Sequence, residues 1–301
     1  MAKTDGTKVC KHCQTEISKK AKVCPQCRKK QGGGIGKIIL LVFLALIVLA
    51  VIGSNSGNST KEFLPEDERV YLTETEIDNA YANPNSFKEK YVKIGGLVFG
   101  EPEINEDVIY FQLYADTVNL EKNTIVAFYG NEDISNGDYI MIDGVISGST
   151  SYKNLLGGTL NALTIETDSV EKSNYIDCCS PTIKTVDTNK TIEQYGYSIT
   201  IEKIEFSKTE TRLYISVSNN GSHNFSLYDS NIKIIQNGRQ YEYEYNYNAD
   251  YPEINTDLLP GTVTSGIVSF PPLDSETSLK INCDAYCDDW EIDLKDYTFE
   301  F

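Results

Sequence analysis

The sequence predicts a mainly β protein behind a short cysteine-rich head and one membrane helix. Three observations carry that expectation. Two Cys-x-x-Cys pairs stand within the first 27 residues, residues 38–52 run without a polar side chain, and most of the remaining chain alternates polar with apolar residues at the period of a strand. Charge divides along the same lines. Residues 1–37 hold ten Lys or Arg against two acids, residues 38–52 hold no charge, and residues 53–301 hold 17 basic against 42 acidic residues; the net charges are +8, zero and −25.

The head comes first. Cys10-Lys-His-Cys13 and Cys24-Pro-Gln-Cys27 lie ten residues apart. Thiolates two residues apart suit tetrahedral zinc, because one tight turn aims both sulfurs at the same point. Two such pairs close the shell and leave no position for water, which predicts one structural Zn2+ held by Cys10, Cys13, Cys24 and Cys27. A module of about thirty residues buries little core, so the metal would supply most of its folding free energy, on the order of 10 kcal/mol. The spacer leaves room for one small hairpin. His12 lies inside the first pair and reads as a loop residue. A redox role would need a thioredoxin-like βαβ context, which is absent.

The apolar run follows. Its 15 residues would span about 22 Å as a helix, short of a hydrocarbon core of about 30 Å; extending it to residues 35–54, with Lys37 reaching for the head groups, closes the gap. A cleaved signal peptide would have to carry the cysteine module in its basic region, and no A-x-A-like site follows. Arg28, Lys29, Lys30 and Lys37 precede the run, whereas Lys61 is the first basic residue after it and has Glu62, Glu66, Asp67 and Glu68 nearby. That bias predicts a single-pass protein with a cytoplasmic N-terminus and an extracytoplasmic bulk. The expected division is 1–31 head, 35–54 membrane helix, 55–72 linker, 73–172 first β domain, 173–182 linker and 183–301 second β domain.

In the first domain Thr73-Glu-Thr-Glu76 predicts a capping box opening a helix over 74–82, stopped by Pro84. Strands are expected over 91–101, 108–115, 124–129, 139–148 and 160–170, enough for a small barrel or sandwich. In the second, strands are expected over 197–206, 212–218, 231–236, 240–247, 263–270 and 278–282. The turns are Asn219-Asn-Gly221, Asn237-Gly238 and Pro260-Gly261, which suggests an immunoglobulin-like β-sandwich. Within 240–247, Tyr241, Tyr243, Tyr245 and Tyr247 recur at period two, with Tyr251 beyond. On one strand they would share a face: either a half-buried sheet face or a candidate ligand-contact face. Cys178, Cys179, Cys283 and Cys287 would lie outside the cell, as candidate disulfide partners joining linker to C-terminal region or as buried free thiols. Asp250, Glu253 and Asp257, like Asp284, Asp288 and Asp289, fall short of a complete calcium loop and read as solvated turns.

Three segments resemble known families. KVCKHCQTEISKKAKVCPQCRKKQ is similar to the bacterial zinc ribbons often found before a single transmembrane helix, through Cys10, Cys13, residues 17–21, Cys24, Pro25 and Cys27. It departs from that pattern at Gln14 and Arg28, where Gly is frequent. The resemblance implies a zinc ribbon and says little of function. TEIDNAYANPNSFKEKYVKIGGLVFG, with NGDYIMIDGVISG and LNALTIE, resembles the tRNA_anti-like OB-folds; Tyr81, Asn83, Tyr91, Val92, Gly96, Val98, Gly137, Asp138, Gly144 and Val145 carry it. It implies a five-stranded OB-like barrel with an N-terminal helix. SITIEKIEFSK, LYISVSNNGS, IKIIQNGRQYEY and LLPGTVTSGIVSF resemble a bacterial family of extracytoplasmic immunoglobulin-like domains of unknown function, implying export and a sandwich.

Charge argues against the nucleic-acid binding that an OB-fold suggests. Residues 87–172 hold six basic and fourteen acidic residues, whereas affinity for a phosphate backbone rests on Lys and Arg. Phe111, Tyr114, Phe128 and Tyr129, the aromatics available for stacking, are expected to pack the barrel. Catalysis finds no constellation: the histidines are His12 and His223, and no GxSxG, Walker or HExxH pattern occurs. The function expected is therefore not enzymatic. It is that of a membrane-anchored bacterial envelope protein displaying two extracytoplasmic β modules for binding, sensing or adhesion, with an envelope or protein ligand outside and a partner for the ribbon inside. A scaffolding subunit of an envelope complex is the alternative, and an enzyme with an unrecognised site a remote one.

Overall fold

A computed structural model describes residues 7–9, 15–18, 25–26, 61–117, 121–153 and 159–301. The expected zinc ligands Cys10, Cys13, Cys24 and Cys27, and the expected membrane helix over 35–54, lie outside the described residues. Among the described residues, no helix is long and apolar enough to cross a membrane. Nor, among them, is any group of three or more His, Cys, Asp or Glu placed to hold a metal.

In the head, β1 (Thr7–Val9) pairs antiparallel with β2 (Glu16–Ser18), Lys8 opposite Ile17. The hairpin therefore brackets the first Cys-x-x-Cys rather than occupying residues 17–21 of the spacer. Pro25 and Gln26, between the second pair of cysteines, form a turn.

The rest is mainly β. Helix α1 (Glu74–Ala82) opens on the capping box: Thr73 Oγ1 accepts from the Glu76 N–H, and the Thr73 N–H donates to Glu76 Oε2 at 2.8 Å. Pro84 then starts a 3-10 turn. Five strands follow, β3 (Tyr91–Asn105), β4 (Val108–Asp116), β5 (Glu121–Phe128), β6 (Tyr139–Lys153) and β7 (Thr159–Ser173). They close into a barrel in the order β3-β4-β5-β7-β6. Every pairing is antiparallel except β5 with β7. Alternation fills the interior with Val92, Val98, Leu113, Val126 and Ile142, and α1 caps it with Ile77, Ala80 and Tyr81. β7 carries an extra residue, Asp168, opposite the Asp143–Gly144 step of β6, and at Gly144 a Cβ would lie 2.7 Å from the Glu166 carbonyl oxygen. Phe111 and Phe128 are buried in this core; Tyr114 stacks on Phe99 at 3.9 Å and Tyr129 meets Phe63 edge-on.

Helix α2 (Tyr175–Cys179) joins the domains, N-capped by Asn174. It lies against β3 at Gly95, where a Cβ would come within 2.7 Å of the Cys178 Cα. Beyond it run β8 (Lys184–Gln194), β9 (Tyr197–Phe206), β10 (Thr211–Asn219), β11 (Phe225–Ser226), β12 (Ile232–Gln236), β13 (Arg239–Glu242), β14 (Asp257–Leu258), β15 (Thr262–Phe270), β16 (Leu279–Cys283), β17 (Tyr286–Cys287) and β18 (Tyr297–Glu300). Two four-stranded sheets, β15-β10-β9-β8 and β13-β12-β16-β18, enclose one core, with a short β14-β11-β17 sheet beside them. Tyr197 stacks on Phe225 at 5.0 Å, and the Tyr297 hydroxyl reaches the Tyr197 carbonyl oxygen at 3.1 Å. β8 and β18 were not expected.

One expectation is corrected here: the strand expected over 240–247 ends at Glu242, because the chain then crosses to the other sheet. Of the two readings left open for the outer cysteines, the structure has free thiols at Cys178, Cys179, Cys283 and Cys287. Cys178 and Cys179 sit on α2, whereas Cys283 is enclosed in the sandwich core.

Candidate functional site

The four tyrosines expected on one face are divided by the turn of the chain. β12 and β13 form a hairpin through Asn237 and Gly238, both at positive φ (52° and 75°), as a tight two-residue turn requires. After Glu242 the backbone is handed to β15: the Glu244 N–H donates to the Ser269 carbonyl oxygen at 2.9 Å and the Ser269 hydroxyl to the Glu244 carbonyl oxygen at 2.5 Å. Tyr241 and Tyr243, before the crossing, pack against the sandwich core, and Arg239 lies over the Tyr241 ring at 5.1 Å. Tyr245 and Tyr247, after it, are 45% and 89% exposed. The rings meet edge-to-face in sequence, Tyr243 with Tyr245 at 6.4 Å and Tyr245 with Tyr247 at 4.7 Å.

Beneath this elbow lies a caged arginine. Arg212, near the start of β10, is fully buried. Its Nε donates to Glu205 Oε2 at 3.2 Å, and its Nη1 to Glu210 Oε1 at 2.9 Å and to the Ser180 carbonyl oxygen at 2.9 Å. Its Nη2 donates to Thr182 Oγ1 at 2.6 Å. Glu205 accepts further from Lys203 at 2.5 Å and Tyr214 at 2.9 Å. Glu210 accepts from the Tyr251 hydroxyl and from Asn246 Nδ2. Burial works to strip the proton from Arg212, but the hydrogen bonds and charges of Glu210 and Glu205 outweigh it and raise its pKa. Burial likewise pushes the Glu205 carboxyl up, and Lys203, Tyr214 and Arg212 together bring it below the usual glutamate range. A buried charge is tolerated when its donors are met in this way.

The same elbow ties the domains together. Tyr139 of the barrel donates its hydroxyl to the Asn248 carbonyl oxygen, and Asn248 Nδ2 donates to the Thr117 carbonyl oxygen at 3.0 Å. Tyr175 of α2 stands edge-on between Tyr139 at 5.8 Å and Tyr251 at 6.1 Å. An open cleft of about 260 Å³ is left at this junction, lined by Tyr175, Glu210, Tyr245, Asn246, Tyr247 and Phe270 among others. A smaller pocket adjoins it behind Tyr245, where Asp229, Tyr243, Tyr251 and Glu253 meet. Tyr245 donates to Glu253 at 3.1 Å. Among the described residues, neither lining includes Lys, Arg or His. No ion pair among the described residues engages Asp229, Glu244, Asp250 or Glu253.

Other side chains singled out by the sequence stand apart from the cleft or are inert beside it. Burial pushes the Cys179 thiol up to about 12 and raises that of Cys178, as it pushes Cys283 to about 12. At neutral pH these are protonated thiols and poor nucleophiles. His223 faces Asp288 and Asp289 at 3.6 and 3.3 Å. Tyr175, Glu210, Asn246 and Asn248 carry no signal in the sequence; they reach the cleft from three separate stretches of chain.

No family model matches the chain, and no curated protein matches it. Solved structures offer partial likenesses. One is a functionally unknown protein from Listeria monocytogenes EGD-e, 10% identical, covering 34% of this chain and 73% of that one with a TM-score of 0.27. Another is the archaellum periplasmic stator protein complex FlaF and FlaG from Sulfolobus acidocaldarius, 17% identical, covering 40% of this chain and 100% of that one with a TM-score of 0.24. Likenesses this distant carry no argument about this chain.

Proposed function

We propose that this chain is a single-pass bacterial envelope protein, its N-terminus in the cytoplasm, which displays two β modules outside the membrane and binds an extracytoplasmic partner. Binding, rather than a reaction, is its task. The observation that carries this reading is the junction cleft: it exposes Tyr245 and Tyr247 from an elbow whose other residues are fixed by the Arg212 cage and by Asn248. Aromatic rings held rigidly at a surface lose little entropy when a partner covers them.

The finer fold belongs to this reading. The barrel order, with its one parallel pair between the third and fifth strands, supports an OB-like barrel, and the two facing sheets support an immunoglobulin-like sandwich. In the head, one structural Zn2+ would bind Cys10, Cys13, Cys24 and Cys27. A hairpin bracketing the first pair and a turn between the second are consistent with two metal knuckles.

The full chain, solubilised in mild detergent, tests the binding role by its retention on immobilised envelope material. Tyr247→Ala should lower that retention about tenfold, the effect of losing about 1.4 kcal/mol. Undiminished retention would remove the cleft from the function. Protease applied to intact cells should release the acidic C-terminal part and spare the head; cleavage within the head instead would reverse the topology. Metal analysis should find one zinc per chain, lost with Cys24→Ser.

A further inference from the structure

The cleft has a composition that selects among ligands. Its walls are aromatic, with Tyr245 and Tyr247 presenting ring faces or edges to solvent, and Tyr175 and Phe270 behind them. Its charge is of one sign. Glu244 belongs to its lining, Asp229 and Glu253 to that of the adjoining pocket, and Asp250 follows in the same loop, none of them ion-paired among the described residues. The one deep cation, Arg212, is already met by Glu205 and Glu210 and offers nothing to an anion. A carboxylate or phosphate entering here would find no donor of positive charge and several carboxylates. An ammonium or guanidinium would find ring faces for cation–π contact and carboxylates for charge-assisted hydrogen bonds. A volume of about 260 Å³ matches the end of a long side chain rather than a whole folded surface.

We infer that the cleft receives a lysine or arginine side chain projecting from a basic segment of an extracytoplasmic polypeptide. The inference rests on the binding role proposed above and gives that role a ligand chemistry. Charge complementarity points to a polypeptide with several cations rather than an isolated one. Residues 180–301 carry nine basic and twenty acidic residues, so neighbouring cations on the same segment would meet favourable potential beyond the cleft.

The test uses the full chain in detergent and a synthetic peptide with two lysines, compared with its acetyl-lysine form, with spermidine and with a neutral glucan. The lysine peptide should bind, acetylation should weaken it at least about tenfold, and raising the salt from about 50 to 500 mM should weaken it severalfold. Tyr247→Ala should cost about five- to tenfold while Tyr247→Phe keeps most of the affinity, because the ring and not the hydroxyl faces the cation. Glu253→Gln should weaken binding by a smaller factor, with the melting temperature unchanged as a check on folding. Equal binding of the acetylated peptide would overturn the inference, as would competition by the glucan, and spermidine binding as tightly as the peptide would overturn the polypeptide source. Retention on envelope material that falls with Tyr247→Ala but ignores the lysine peptide and salt would sink the ligand class and leave the binding role standing. Retention indifferent to Tyr247→Ala would sink both.

Discussion

The two sides of the segment 239–251 are made of the same residue types and do opposite work. Inward, Tyr243 packs on the sandwich core and Tyr251 donates to Glu210 within the Arg212 cage. Outward, Tyr245 and Tyr247 are exposed near Glu244 and Glu253, which no cation among the described residues engages. Nothing in the side chains distinguishes the two pairs; the path of the backbone does. Tyr243 leaves the β12–β13 hairpin over the sandwich core, Tyr245 and Tyr247 follow the hand-over of Glu244 to β15, and Tyr251 returns to Glu210.

The largest effect that could break this contrast is at the cage. Arg212→Ala should destabilise the sandwich by about 3–5 kcal/mol in denaturant unfolding, because it leaves Glu205 and Glu210 buried without their cation. Removing all three charges together, as Arg212→Met with Glu205→Gln and Glu210→Gln, should recover a large part of that loss. Failure to recover any of it would mean that the cage matters through packing and not charge balance. Next in size, Tyr243→Ala should cost about 2 kcal/mol, less than a fully buried aromatic because the ring is only partly covered.

Acid should loosen the inner side specifically. The Glu205 carboxyl titrates below the usual glutamate range in the folded protein, with burial outweighed by Lys203, Tyr214 and Arg212. Protons therefore bind the unfolded chain more readily, so the contribution of Glu205 is complete above the ordinary glutamate pKa of about 4.3 and is lost as pH falls through its folded value. Glu205→Gln should lower stability at neutral pH and flatten the pH dependence between about pH 5 and 3. An unchanged acid limb in that variant would show that other carboxylates dominate.

Much of the framework was legible in the sequence because it is local. Thr73 and Glu76 specify the start of α1 through two reciprocal hydrogen bonds, Asn237-Gly238 specifies its hairpin, and the alternation around Val98 and Ile142 specifies barrel faces. What escaped has no such local signature. β8 is an edge strand whose Val186 and Ile192 alone reach the core, so its apolar period is too thin to read. α2 spans five residues, fewer than two turns. The tyrosines at 241–247 did show their period of two, but a period cannot report that the chain changes sheets midway. Arg212 carries no sign of burial either, since its partners Glu205, Glu210 and Ser180 are gathered by the β9–β10 hairpin and the interdomain linker.

Smaller effects sharpen the contrast from outside. Chelating the zinc proposed for the head should leave the unfolding of barrel and sandwich unchanged, since the Arg212 cage and the contacts of Asn248 with the barrel are drawn entirely from residues beyond 70; a shift in their melting temperature would link the head to the outer domains. Smallest of all, Tyr247→Ala should change stability by no more than about 0.5 kcal/mol, as for an exposed side chain without partners in the core.

The most direct measurement pairs Tyr243→Ala with Tyr247→Ala in the full chain and records unfolding free energy and retention on envelope material for both. The division of labour predicts that Tyr247→Ala loses retention about tenfold at unchanged stability. Tyr243→Ala should lose about 2 kcal/mol of stability and bind normally at temperatures where it stays folded. Tyr247→Ala with full retention, or with a stability loss as large as that of Tyr243→Ala, would contradict it.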